Sequence, residues 1–75
     1  MFSRSYAQDR ALRAEEKEWK GSLCVPELIS GGTYLVRKRM SWRVALRIIG
    51  RKFNVVYFVN ASTGEISKRI KKNKN

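Results

Sequence analysis

Seventy-five residues allow one domain at most. A domain of that size buries only about 60% of the surface its unfolded chain exposes, so its core is thin and a deep catalytic pocket has little room. A disordered chain is excluded by 43% hydrophobic and 11% aromatic residues, while 17 Lys and Arg against 6 Asp and Glu give a net charge of +11.

The charge is segregated. Residues 1–27 carry five basic groups (Arg4, Arg10, Arg13, Lys17, Lys20) and five acids (Asp9, Glu15, Glu16, Glu18, Glu27), which cancel. Residues 28–75 carry the other twelve basic groups against Glu65 alone. Such a surface attracts polyanions at long range. Solubility alone would require charge but not its segregation.

Catalytic equipment is sparse. Without any His, the commonest general base and metal ligand is missing. A single cysteine, Cys24, forms neither an internal disulfide nor a zinc site and fits a reducing, cytoplasmic compartment. Beside Val25 and Pro26 it reads as a packing residue. Gly31-Gly32 lacks the Lys-Ser/Thr that completes a nucleotide cradle. The longest wholly apolar run, residues 55–59, falls far short of the ~20 residues that span a bilayer. The opening MFSRSYAQDRALRA is Arg-rich like an organelle-targeting helix, but the acids at 9, 15, 16 and 18 oppose that alternative. The expectation is a non-enzymatic protein with no metal, no cofactor, no small-molecule substrate and no membrane partner.

In chain order, residues 5–20 read as a helix. Ser5 is its cap, Gln8 completes a capping box and Gly21 follows its end. Its apolar stripe is narrow (Tyr6, Leu12 and Trp19, with Ala7, Ala11 and Ala14), and Glu15, Glu16 and Glu18 are assigned to its exposed surface. Residues 21–32 form a connector in which 25–29 make a short turn or edge strand. Residues 33–38 form a strand, joined by Arg39-Met40-Ser41 to the next. That register puts Tyr34 and Val36 on the core face and keeps Arg37 and Arg39 off it.

Trp42, Val44, Leu46 and Ile48 alternate with Arg43, Ala45, Arg47 and Ile49, as in a half-buried strand. Phe53, Val55, Tyr57 and Val59 repeat the pattern after Gly50-Arg51, which suits a type II′ hairpin turn. The register then opposes Ile48 to Phe53, Leu46 to Val55, Val44 to Tyr57 and Trp42 to Val59. A turn at residues 60–64 leads to a strand at 65–70. The expected fold is α+β: an N-terminal helix, then a three- or four-stranded antiparallel meander over residues 1–70, with a disordered basic tail at 71–75.

Two segments resemble parts of known families. Ser41-Trp-Arg-Val-Ala-Leu-Arg-Ile-Ile-Gly-Arg-Lys-Phe53 resembles the strand-turn-strand of the arm-binding domains at the start of phage-type integrases, which read DNA with a three-stranded sheet. That family follows its sheet with a helix, whereas only residues 71–75 follow here. Val56-Tyr-Phe-Val-Asn-Ala-Ser-Thr-Gly-Glu-Ile66 is similar to the second hairpin of WW domains. The second Trp and closing Pro of that family are absent, so proline-rich ligands are not implied. Both likenesses are those of generic meander sequence, and membership of neither family follows.

The expected outer sheet face carries Arg37, Arg43 and Arg47 beside Asn54 and Phe58. Arg39, Arg51 and Lys52 stand at the hairpin loops, and Lys68, Arg69, Lys71 and Lys72 along the last strand and tail. Guanidinium forks suit phosphate oxygens, and an exposed aromatic suits base stacking. The plainer alternative has the helix covering this face with the arginines at its rim. The functional expectation is a small basic regulator binding DNA or RNA through the Arg-rich face. The first alternative is a phage-type or accessory factor docking on RNA polymerase or the ribosome, with Tyr6, Leu12 and Trp19 as the apolar anchor. A structural subunit of a ribosome-like particle fits the same charge.

Overall fold

In the computed structural model, which describes residues 1–73, Ser3 rather than Ser5 begins the helix. The Ser3 hydroxyl oxygen accepts the Tyr6 amide at 3.1 Å, satisfying one of the four amides a helix start leaves unpaired. The helix, α1 (Arg4–Glu18), ends two residues before the expected Lys20. Gln8 makes no capping box; its amide nitrogen donates to Thr33 Oγ1 at 3.1 Å.

Four strands follow: β1 (Val25–Val36), β2 (Ser41–Ile49), β3 (Phe53–Asn60) and β4 (Ile66–Asn73). They form one antiparallel sheet in the order β1-β2-β3-β4. The fold is therefore the expected α+β arrangement, with four strands. Among the described residues no helix is long and apolar enough to cross a membrane.

The central hairpin has the expected register, pairing Trp42 with Val59, Val44 with Tyr57 and Leu46 with Val55. Its turn differs. The Arg51 amide donates to the Ile48 carbonyl at 3.0 Å, so Gly50, at φ 98°, is the third residue of a turn at 48–51. The strand pairing is nevertheless centred between Gly50 and Arg51, as expected, so the same partners face one another. Val44, Leu46, Ile48, Val55, Tyr57 and Val59 form the core with Ala7 and Ala11 of α1; Leu12, Trp19, Leu28, Trp42 and Phe53 pack around them. The two buried alanines let the helix approach the sheet closely.

β1 corrects the reading of residues 21–38. It is a single twelve-residue strand in place of a connector and a short strand. Its register breaks between Leu28, opposite Leu46, and Thr33, opposite Val44, so residues 29–32 bulge against Ala45 alone. Gly32 makes this possible: a Cβ there would lie 2.9 Å from both Ala45 Cβ and the Ile29 carbonyl oxygen. Beyond the bulge, Leu35 opposes Trp42 and Tyr34 opposes Arg43, which places Tyr34 on the outer face and not the core face. The link to β2 is a 3₁₀ turn, Arg37–Arg39, closed by Met40 at φ 49°, so Arg37 lies in the turn and not on a strand.

β4 carries its own bulge, between the pairs Phe58↔Lys68 and Val59↔Ile66. Lys71 and Lys72 belong to this strand, opposite Val55 and Asn54, where a disordered tail was expected. Residues 74–75 of that expected tail lie outside the described residues. At the other end of the chain, Phe2 is pinned to the sheet: its amide donates to the Ala61 carbonyl at 2.7 Å, and its carbonyl accepts Trp42 Nε1 at 2.8 Å.

Candidate functional site

The helix packs on the face that carries Val44 and Leu46, against β1, β2 and β3. The arginine-bearing face is left uncovered by α1, contrary to the plainer alternative. Strand pairing sorts its side chains into three rows across the sheet. The first is Tyr34, Arg43, Phe58 and Lys68; the second is Ala45, Val56 and Ile70; the third is Glu27, Arg47, Asn54 and Lys72. The outer rows are four residues apart along β2, β3 and β4, roughly 13 Å, and seven apart along the bulged β1. Between them Ala45 and Val56 are only 5% and 2% exposed, so the middle row is an apolar floor.

In the first row cations and rings are interleaved. The Arg43 guanidinium lies 5.2 Å from the Tyr34 ring centre and donates to the Gly32 carbonyl at 3.1 Å. Arg39, from the turn beyond β1, lies 4.9 Å from the Phe58 ring centre. These contacts hold the guanidiniums in place against the sheet. In the third row Arg47 Nε approaches Glu27 Oε1 at 3.6 Å, a half-exposed pair of small energetic weight. Arg47 Nε and Asn54 Oδ1, on facing residues, are shielded from solvent without a hydrogen-bond partner.

Of the expected site residues, the structure brings Arg39, Arg43, Arg47, Phe58, Lys68 and Lys72 to this face. Tyr34, turned outward by the bulge, and Glu27, paired with Arg47 ahead of it, are additions. The signal for them was Gly31-Gly32 inside an otherwise β-like run, which marks a bulge as readily as a breaker. Arg37 sits in the 3₁₀ turn, and Lys52 is exposed after the β2–β3 turn. Arg51, Arg69 and Lys71 belong to the helix side. Arg51 stacks 5.3 Å from the Trp19 ring centre, and Lys71 lies 4.5 Å from that of Phe53.

Arg69 is committed to a buried carboxylate. Glu15, expected on the helix surface, is 0% exposed and continues the stripe of Ala7 and Ala11. Arg69 donates to it through Nε at 2.8 Å and Nη2 at 2.9 Å. The Tyr57 hydroxyl donates at 2.7 Å and Trp19 Nε1 at 2.8 Å. Burial pushes the Glu15 pKa up, but the hydrogen bonds from Arg69, Tyr57 and Trp19 outweigh it and hold the carboxyl below its ordinary range. Burial and the hydrogen bond to Glu15 push the Tyr57 phenol up. The Glu15 hydrogen bond likewise raises Arg69.

The residues expected to anchor a protein partner are largely used within the fold. Leu12 and Trp19 pack against the core, and Tyr6 stacks on Phe2 at 4.3 Å between ring centres. Among the described residues no three carboxylate or thiol groups converge as a metal site. Comparisons of the chain with protein-family models, curated proteins and solved structures return no match.

Proposed function

We propose that this protein is a small basic regulator that binds nucleic acid through the outer face of its sheet. One observation carries the reading: the two layers differ in charge. The helix holds four basic and four acidic side chains, which cancel. The uncovered sheet face holds Arg39, Arg43, Arg47, Lys68 and Lys72 against Glu27 alone. Phosphate groups meeting these cations release their condensed counterions, the main source of affinity for a polyanion. Arginines held by neighbouring rings and carbonyls present a fixed fork to phosphate oxygens and lose less conformational freedom on binding. Docking on an acidic protein surface uses the same charge, but its expected apolar anchors Leu12 and Trp19 are packed inward.

The test is a salt titration of oligonucleotide binding. The logarithm of the association constant should fall with the logarithm of salt concentration by about 0.7–0.9 for each phosphate neutralised. Salt-independent affinity, or no binding at about 50 mM salt, overturns the reading in favour of a protein partner.

A further inference from the structure

We infer that the occupant of the outer face is single-stranded nucleic acid, its bases laid on Tyr34 and Phe58 and its backbone held by the flanking cations. The inference rests on the nucleic-acid reading above and names the form of the ligand.

Tyr34 is 49% exposed, although the bulge that turns it outward costs the sheet four residues of regular pairing with β2. Leu35, not Tyr34, faces the core side at this point. Tyr34 and Phe58 flank Arg43 on neighbouring strands, which places the two rings roughly 10 Å apart in one row. Each ring already carries a flat cation, Arg43 over Tyr34 and Arg39 over Phe58. A base stacks on an aromatic ring or on a guanidinium plane alike, so either layer offers it a platform. Lys68 ends the row, while Arg47 and Lys72 form a second cationic line beyond the apolar floor.

A duplex fits this surface poorly. Its bases are stacked within the helix and present only edges to the grooves. Four strands span roughly 14 Å between the outermost backbones before side chains are added. The major groove is about 12 Å wide, so the face cannot enter it. Rings flanked by cations match splayed, unstacked bases.

The experiment is fluorescence anisotropy at fixed salt with labelled oligonucleotides of about 12 nucleotides, within the range one small module covers. The probes are single-stranded DNA, single-stranded RNA and the DNA duplex of the same sequence. The wild-type protein should bind at least one single strand more tightly than the duplex. Tyr34→Leu should weaken single-strand binding about tenfold while leaving the duplex affinity and the salt slope unchanged. Tyr34→Phe should restore the wild-type affinity. Tyr34 is half exposed, and circular dichroism checks that the Leu variant is folded. Stronger duplex binding, or a Tyr34→Leu protein that binds single strands normally, overturns the inference and leaves the nucleic-acid reading standing. If the wild type binds none of the three probes, the nucleic-acid reading itself fails.

Discussion

Glu15 accepts hydrogen bonds from Arg69, Tyr57 and Trp19 while fully shielded from solvent, and through Arg69 it ties the edge strand β4 to the helix. Removing one partner of a buried pair leaves the other charge uncompensated, which costs about 3–5 kcal/mol. A third of the Arg69 side chain stays in water, so Arg69→Met should cost about 3 kcal/mol in urea melts, at the lower end of that range. The pH dependence follows from the direction of each shift. Glu15 is depressed in the folded state, so its stabilisation is present above the ordinary value of 4.5 and is lost as pH falls through the lower folded value. Without Arg69 the burial penalty is less opposed, and the acid loss of stability should begin at higher pH. At the alkaline end the folded state keeps the Tyr57 proton above the ordinary value of 10.0. Stability should therefore decline as pH rises past that value. The sequence held one sign of this cluster: Glu15 stands four residues beyond Ala11 and eight beyond Ala7, on the face that packs. Its partners on β3 and β4 lie 42 and 54 residues away and leave no local pattern.

At the scale of elements, the β2–β3 hairpin was legible because both strands alternate strictly and each alternation must face the same core. A slip by one residue would have put Arg43 and Arg47 in the core. Leu46 is fully buried at its centre, and Leu46→Ala should cost about 2–5 kcal/mol by urea denaturation. A loss under about 1 kcal/mol would place the core elsewhere. β1 was not legible for a physical reason. Four residues opposing one break the period-two pattern, so residues 25–28 and 33–36 look unrelated although they pair with one partner strand. Gly32→Ala tests the bulge directly. The added methyl would meet the Ala45 side chain and the Ile29 backbone, and should cost about 1–3 kcal/mol in the same melts. A neutral outcome would mean that the bulge relaxes freely and does not fix the direction of Tyr34.

At the scale of the whole molecule, the segregation of charge along the sequence became a segregation of layers, because the balanced segment forms the helix and only the first residues of β1, while the basic segment forms the rest of the sheet. The composition of the basic face, Phe58 included, was thus readable without a structure, while two features were not: Tyr34 depends on the bulge, and the seating of Arg39 over Phe58 depends on Arg39 folding back from the 3₁₀ turn. The central claim is that cations on this face bind phosphate. The most direct measurement is oligonucleotide affinity across a salt series for the Arg43→Gln/Arg47→Gln double variant beside the wild type, with circular dichroism confirming the fold. The account predicts weaker binding at every salt concentration and a slope lowered by about 1.5, the loss of two phosphate contacts. A folded double variant with wild-type affinity and an unchanged slope would contradict it.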